Sequence, residues 1–206
     1  QRQMCIRDRF HTDYPTEQIQ EVIRRYHINE KYFLYLGTIE PRKNLERLIK
    51  AYAKLVSRHK DVPQLVLAGG KGWYYDDIFQ MIDTCHLKEQ VVFTGYVDQK
   101  DSPLLMSGAM AFVFPSLYEG FGMPPLEAMA CGTPVITSKT SSLPEVVGDA
   151  GILVDPENVD EICEAMEKMM IEPVYRETLS LKGKKRADKF TWRKSAEQLM
   201  NVYQKL

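Results

Sequence analysis

A segment from Glu119 to Glu127 combines two carboxylates, two glycines and two prolines. Gly120 and Gly122 flank Phe121, so the backbone can present consecutive N–H groups without a Cβ in the way. The two prolines that follow suit the first positions of a helix. A glycine-bearing loop that runs into a helix N-terminus is suited to binding a diphosphate, because unpaired N–H groups and the positive end of the helix dipole meet there.

The two glutamates of this segment suit different parts of such a ligand. Glu127 is predicted in the first turn of the helix, with its carboxylate at the same edge of the sheet, where it could accept both hydroxyls of a ribose. Glu119 precedes the loop and would face whatever group the diphosphate carries. The alternative is that both glutamates are solvated and that the prolines only begin a helix. Spacing alone does not separate these two interpretations.

A pair of cations, Arg42 and Lys43, stands in the loop after the first core strand. Two cations there could neutralise a diphosphate, as Mg²⁺ does in other proteins. Adjacent basic residues in a loop are commonly plain surface, which remains the alternative. Asp76 and Asp77 fall inside a predicted helix, and no Asp-x-Asp stands where it would hold a metal. The sequence therefore predicts side-chain cations and no metal site.

Short apolar segments alternate with helical patterns along the chain. Strands are predicted at 32–36, 64–68, 91–94, 111–114, 134–137 and 152–154. Helices are predicted from residue 16, at 45–56, 76–85, 104–107, 126–130 and 159–170, then at 172–189, interrupted at Gly183, and at 191–206. Buried strands separated by helices require a parallel sheet with right-handed crossovers. The predicted fold is a doubly wound, Rossmann-like α/β domain with a helical C-terminal tail.

Ligands of such sheets bind outside the carboxyl ends of the strands. The turns at those ends, which we call the rim, are residues 37–44, 69–72, 95–97 and 115–122. Each contains glycine or proline, so its backbone can approach a ligand. Residues 1–9 show no periodicity and are predicted to be a tail or an artefact, which leaves 10–206 as a single domain.

Composition excludes several classes of protein. The 206 residues carry a net charge of -1, so no basic field indicates a nucleic-acid partner. The four cysteines are far apart and are predicted to be free thiols in a reducing compartment. No apolar run approaches the ~18 residues needed to span a bilayer, and no secretory signal is recognised. A cytoplasmic location is expected.

These residues together resemble the C-terminal domain of the GT-B retaining glycosyltransferases, specifically family four, the glycosyl transferases group 1. The resemblance covers about residues 26–205. Its carriers are the segments 32–37, 37–44, 65–70, 92–97, 114–129 and 132–136. The block 114–136 holds the Glu-x7-Glu signature of the family at Glu119 and Glu127.

The resemblance implies an enzyme that transfers a sugar from a nucleoside diphosphate donor with retention, with no cofactor or metal required. Arg42 and Lys43 would bind the diphosphate and stabilise the leaving group, and Glu119 would contact the sugar hydroxyls. These three are the catalytic candidates. The donor-binding candidates are Gly37, Thr38, Gly69, Gly70, Tyr96, Val97, Gly120, Phe121, Gly122, Met123, Leu126 and Glu127. Among them, Leu126 would pack against the nucleoside, Glu127 would hold the ribose, and the backbone of Tyr96 and Val97 would line the base pocket.

The chain departs from the family in two respects. Many relatives have arginine where this chain has Thr38, and Arg42 is expected to substitute for it. A GT-B enzyme has two such domains, and the N-terminal acceptor domain is absent here, so we expect donor binding with little turnover. The tail helix at 191–206, preceded by Phe190, resembles the helix that packs across that partner domain. Trp192, Leu199 and Tyr203 would then be exposed, or else pack within this domain.

The sequence leaves the donor open among GDP-, UDP- and ADP-linked sugars. The form of residues 37–44 resembles bacterial surface-polysaccharide transferases, often mannosyl ones, which favours GDP-mannose. Contact of the full enzyme with the inner face of a membrane also stays open. A dinucleotide-dependent oxidoreductase is discarded because residues 37–44 lack Gly-x-Gly-x-x-Gly. A non-catalytic nucleotide-sugar-binding module and a GT-B epimerase or phosphorylase remain as alternatives.

Overall fold

One parallel sheet organises the chain. A computed structural model of the protein describes residues 9–70, 72, 75–191, 196–197, 200–201 and 203–204. The strands are β1 (Tyr32–Leu36), β2 (Gln64–Ala68), β3 (Val91–Gly95), β4 (Ala111–Phe114), β5 (Val135–Ser138) and β6 (Ile152–Val154). Every pairing is parallel, and the strand order is β3-β2-β1-β4-β5-β6. The predicted doubly wound sheet is confirmed. Its order reverses between β1 and β4, which is where such sheets bind ligands.

Helices cover the sheet and bury their apolar stripes against it. They are α1 (Thr16–Arg25), α2 (Leu45–Arg58), α3 (Tyr75–Thr84), α4 (Ser102–Gly108), α5 (Met123–Ala130), α6 (Leu143–Val147), α7 (Val159–Ile171) and α8 (Pro173–Ala187). Single 3-10 turns occur at Pro41–Lys43 and Gly148–Ala150. In α2, the residues with helical spacing in the sequence, such as Leu48, Tyr52 and Leu55, are fully buried. Apolar runs and helical spacing therefore identified the six strands and most of the helices, whereas α6 was not among the predicted helices.

Two predictions about the helices are wrong. Helix α5 begins at Met123, because prolines are tolerated in the first turn, and Glu127 is therefore in the second turn rather than the first. Gly183 does not interrupt α8; the break between α7 and α8 is at Glu172. A Cβ on Gly183 would lie 3.2 Å from Met129, so the glycine allows α8 to approach α5 closely.

The ends of the chain are described only in part. The predicted tail at 1–9 lies outside the described residues except for Arg9, whose guanidinium donates to Gln99 at 3.0 Å. Within the predicted helix 191–206, residues 196, 197, 200, 201 and 203 are helical, and Tyr203 is exposed. Trp192 and Leu199 lie outside the described residues. In the described part of the chain, no helix is both long and apolar enough to cross a bilayer.

The carboxyl ends of β1, β2 and β3 meet through glycines. The N–H of Gly69 donates to the carbonyl of Gly95 at 2.9 Å, and the N–H of Gly37 donates to the carbonyl of Ala68 at 2.9 Å. A Cβ on Gly69 would lie 2.0 Å from the carbonyl oxygen of Gly37, whereas one on Gly70 would meet nothing within 4 Å. Glycine is therefore required at 69 and not at 70.

This contrast predicts the stabilities of two variants. Gly69→Ala is expected to lower the free energy of unfolding by about 3 kcal/mol or more, because backbone must move to relieve the clash. Gly70→Ala is the matched control and is expected to change it by less than about 1 kcal/mol. Urea denaturation of both variants measures the difference. Equal stabilities would show that β1 and β2 do not approach this closely.

Candidate functional site

The three catalytic candidates of the sequence meet at the point where the strand order reverses. Lys43 Nζ lies 2.6 Å from Glu119 Oε1, and Arg42 Nη1 lies 2.9 Å from the same oxygen. The cations come from the 3-10 turn after β1, and the glutamate comes from the loop after β4. We call Arg42, Lys43 and Glu119 the cation cluster. The ends of β1 and β4 thus bring two cations and a carboxylate together, an arrangement that can bind an anion through side chains.

Lys43 is held in a nearly enclosed position. Its residue is 8% exposed, and Nζ lies 4.9 Å from the centroid of the Phe114 ring. The next residue, Asn44, has φ 60 and donates through Nδ2 to the carbonyls of Pro115 at 3.0 Å and Pro156 at 2.6 Å. These bonds fix the turn after β1 against the loops after β4 and β6, so Lys43 has little freedom to leave the site.

Arg42 occupies the open side of the same cluster. Its side chain is 42% exposed, and it donates to the carbonyl of Tyr118 at 2.8 Å and to Glu40 at 2.5 Å. Burial alone would lower the pKa of Arg42, but Glu119 and Glu40 outweigh it and raise that pKa. The two neighbouring cations therefore differ: Lys43 is fixed and enclosed, and Arg42 is partly solvated.

Glu119 is ionised and already has hydrogen-bond partners within the protein. Burial alone would raise its pKa, but hydrogen bonds from Lys43 and Ser116, with the charge of Lys43 and a bond from Arg42, lower it below its ordinary value. Ser116 Oγ donates to Glu119 Oε1 at 2.7 Å, and the N–H of Glu119 donates to Ser141 Oγ at 3.1 Å. Ser116 was not singled out from the sequence, because its role depends on how a side chain turns within the loop.

The glycine loop (residues 120–122) leads into α5. Gly122 has φ 106, a left-handed conformation that favours glycine, and a Cβ there would lie 2.8 Å from Leu143. Ser142 Oγ donates to the carbonyls of Glu119 and Phe121, both at 2.9 Å. The N–H groups of residues 120–122 donate to no other described residue. The carbonyls of Glu119 and Phe121 are thus bound, whereas the N–H groups of the loop have no partner in the described part of the chain.

The other donor-binding candidates are spread along the rim. Thr38 and Tyr96 are exposed, whereas Val97 is buried. Gly37, Gly69 and Gly70 lie where β1 and β2 end, and Met123 is the first residue of α5. Leu126 is 1% exposed within the core, so the predicted contact of its side chain with a nucleoside is not available. Its position in α5 turns it inward, towards the sheet.

Glu127 lies apart from the cation cluster. Among the described residues, no hydrogen bond or ion pair joins it to Arg42, Lys43 or Glu119. Burial raises the pKa of Glu127 to about 7, and the charge of Arg9 opposes this shift. Burial also raises the pKa of the nearby Cys131 thiol to about 12. Near neutral pH a proton on Glu127 is therefore easily gained or lost.

The raised pKa of Glu127 predicts a pH dependence of stability. A carboxyl whose pKa rises from 4.5 to about 7 on folding contributes stability that is fully present below pH 4.5 and lost as the pH rises through about 7. Glu127→Gln removes this titration, so relative to the parent it is expected to gain roughly 2–3 kcal/mol of unfolding free energy between about pH 4 and pH 8. Urea denaturation at both pH values measures the gain. A constant difference between the two proteins would contradict the raised pKa.

A cavity of ≈ 560 Å³ lies elsewhere, between the segment around residues 10–13 and the end of α8. Its lining includes Phe10, Lys184 and Phe190 and no residue of the cation cluster. We assign the candidate site to the rim, because charge and unpaired N–H groups converge there. In the described part of the chain, no group of three or more metal-ligating side chains is present.

The chain is similar to a known protein family and to known enzymes. The family model of the glycosyl transferases group 1 matches residues 18–186. O-antigen chain mannosyltransferase B of Escherichia coli is 40% identical over 186 residues, which are 90% of this chain and 49% of that protein. The chain therefore spans about half the length of that relative.

Solved structures share the fold. A structure of Anabaena Alr3699/HepE in complex with UDP and glucose superposes with a TM-score of 0.83 at 21% identity, covering 98% of this chain and 56% of that one. The C-terminal domain of a glycosyl transferase group 1 family protein (LpcC) from Francisella tularensis has a TM-score of 0.77 at 23% identity. It covers 89% of this chain and 96% of that one. These matches confirm the predicted Rossmann-like fold of the GT-B type. The family model, which matches most of the chain, shows that the chain belongs to the glycosyl transferases group 1.

Proposed function

We propose that this chain is the donor-binding domain of an enzyme that transfers a sugar from a nucleoside diphosphate with retention and without a metal ion. The observation that carries the proposal is the cation cluster. Arg42, Lys43 and Glu119 converge where the strand order reverses, beside a loop whose N–H groups are available.

The two cations would stabilise the departing diphosphate. When the bond from the anomeric carbon to the phosphate oxygen breaks, negative charge builds on the diphosphate. Lys43, which is fixed and enclosed, and Arg42, which is on the open side, can both meet that charge, as can the N–H groups of residues 120–122. Preorganised donors of this kind contribute about 3–4 kcal/mol each to lowering a barrier.

Glu119 would accept hydrogen bonds from the hydroxyls of the donor sugar. An ionised carboxylate has only acceptor capacity, and its lowered pKa keeps it in that state. In the unliganded protein it accepts from Lys43, Arg42 and Ser116. Binding of a donor would therefore replace these ion pairs: the cations would bind the diphosphate, and Glu119 would accept hydrogen bonds from the sugar.

We further propose GDP-mannose as the donor, in the synthesis of a bacterial polysaccharide. The relative with 40% identity is named an O-antigen chain mannosyltransferase, which supports a mannosyl donor. The structural neighbour in complex with UDP supports a nucleoside diphosphate in general. Tyr96 and Val97 would border the base. Glu127 would face the ribose from the second turn of α5.

An acceptor domain would complete the enzyme. The chain spans 49% of the length of its mannosyltransferase relative, which supports a second domain of similar size. That domain would bind the acceptor and close over the rim. We therefore expect the 206-residue chain to bind the donor with little turnover, and the full enzyme to act in the cytoplasm, at the inner face of a membrane.

Calorimetry with GDP, UDP and ADP tests the proposal on the chain as it stands. We expect saturable one-to-one binding of at least one nucleotide without added Mg²⁺, and the tightest binding for GDP. Circular dichroism confirms that the sample is folded. If folded protein binds none of the three, the chain is not a donor-binding domain. A preference for UDP over GDP would retain the site but reject the mannosyl donor.

A further inference from the structure

The side chain of Phe121 reaches a residue beyond the end of α8. Its ring meets that of Phe190 edge to face, with centroids 6.0 Å apart and an interplanar angle of 79°. Phe121 is 43% exposed, so this contact covers one side of the ring and leaves the rest open. The sequence indicated Phe121 as a donor-binding candidate in the loop, placed Phe190 with the tail, and did not indicate a contact between them.

Phe190 is itself held by Arg186. The guanidinium carbon of Arg186 lies 5.2 Å from the centroid of the Phe190 ring, in a cation–π contact. Arg186 Nε donates to the carbonyl of Val146 at 2.9 Å, and Nη2 donates to the carbonyl of Glu145. Arg186 therefore joins the last turn of α8 to α6, and Phe190 rests on it.

Helix α6 leads back to the glycine loop. Ser142, which directly precedes α6, donates to the carbonyl of Phe121 at 2.9 Å. The contacts therefore form a closed chain. Phe121 contacts Phe190, which rests on Arg186. Arg186 binds α6, and Ser142, just before α6, binds the backbone of Phe121. The loop is fixed by its carbonyls on one side and by its one side chain on the other.

The closed arrangement matters because glycine stands on both sides of Phe121. Gly120 and Gly122 allow many backbone conformations, so the direction of the loop N–H groups is not set by the loop itself. Ser142 Oγ orients the two peptide planes whose carbonyls it binds, Glu119–Gly120 and Phe121–Gly122, but it does not bind the Gly120–Phe121 peptide, which carries the N–H of Phe121. An anchor on the Phe121 ring removes the remaining freedom of that peptide. Interactions that order donors before the ligand arrives reduce the entropic cost of binding.

We propose that Phe190 and Arg186 are positioning residues that order the glycine loop through the Phe121 ring, so that its N–H groups face the diphosphate. The diphosphate part of this inference rests on the proposed function. The ordering part stands on the contacts alone. The C-terminal segment thereby becomes part of what prepares the donor site.

Backbone relaxation of ¹⁵N-labelled protein tests the ordering without any nucleotide. In the parent protein we expect order parameters of about 0.8 at residues 120–122, and in Phe190→Ala values below about 0.6. Phe190→Tyr keeps the ring and is expected to keep the order. Leu181→Ala removes an exposed apolar side chain from α8, the helix that precedes Phe190, and is the matched control. Phe190→Leu retains apolar volume and serves if the alanine variant does not fold.

Calorimetry then measures the consequence for binding. With the nucleotide that the parent binds best, Phe190→Ala is expected to raise Kd about tenfold, and Phe190→Tyr and Leu181→Ala less than about twofold. Unchanged order parameters at residues 120–122 in Phe190→Ala, or in Phe190→Leu where the alanine variant does not fold, overturn the inference. A parent protein that binds no nucleotide overturns the proposed function, whereas the relaxation result still decides whether Phe190 orders the loop.

Discussion

Replacing Lys43 with methionine is expected to raise the Kd for a nucleoside diphosphate by about 100-fold, which corresponds to roughly 2.7 kcal/mol. Lys43 is 8% exposed and fixed by Glu119 and the Phe114 ring, so its ammonium is already in place when the ligand arrives. Its charge acts in a poorly solvated position, where it is screened least. Methionine keeps most of the apolar volume, and Glu119 keeps Arg42 and Ser116 as partners.

Lys50→Met is the matched control for this prediction. Lys50 lies on α2, pairs with Glu46 at 2.6 Å and is 49% exposed, so its removal deletes the same charge without touching the rim. Its Kd is expected to stay within about twofold of the parent. Calorimetry at fixed salt concentration measures all three proteins. Equal affinities for Lys43→Met and Lys50→Met would remove Lys43 from the diphosphate site.

The architecture was predictable because its signals are local. Each strand is a short apolar run, and β1 to β3 end at or just before a glycine, so all six strands were placed within one residue at either end. Helices α1 and α2 were identified from residues with helical spacing. The shared position of Arg42, Lys43 and Glu119 followed from one topological rule, because carboxyl ends of parallel strands lie at the same edge of a sheet.

The contacts within the site were not predictable. Glu119 is 76 residues from Lys43 in the chain, and a rule that brings two loops to one edge does not say that their side chains form ion pairs. The roles of Ser116 and Ser142 depend on how hydroxyls turn within loops. The contact of Phe121 with Phe190 joins distant elements that share no pattern. Tertiary geometry decides such details.

The start of α5 shows how one wrong boundary changes a functional interpretation. Starting the helix at its two prolines put Glu127 in the first turn, facing the rim. The helix begins at Met123, so Glu127 is in the second turn and half-buried. Local rules allow proline at the first turn but do not fix which of its positions it occupies. The Glu-x7-Glu spacing is therefore present, while its two carboxylates are in unlike surroundings.

Glu119→Gln is expected to strengthen the binding of GDP and to remove the additional affinity that a sugar on the diphosphate contributes. Glu119 Oε1 lies 2.6 Å from Lys43 Nζ and 2.9 Å from Arg42 Nη1, so an entering diphosphate must compete with it for both cations. Removing its charge is expected to lower the Kd for GDP about tenfold, a modest part of the roughly 4 kcal/mol between unit charges 4 Å apart at a protein surface. The extra affinity brought by a sugar on the diphosphate is expected to disappear, since a neutral amide accepts hydroxyl hydrogen bonds less strongly.

The same variant should also cost stability, which separates competition from simple loss of structure. With glutamine at 119, the Lys43 ammonium is left enclosed without a carboxylate, and the free energy of unfolding is expected to fall by about 3 kcal/mol. Glu40→Gln is the matched control, because Arg42 is the one ion-pair partner of Glu40 among the described residues. Its affinity for GDP is expected to rise less than about threefold. Calorimetry with GDP and GDP-mannose, with urea denaturation of each variant, measures these effects. Tighter GDP binding in a less stable protein has no explanation in damage to the fold, whereas weaker GDP binding would mean that Glu119 supports the diphosphate site instead of competing with the ligand.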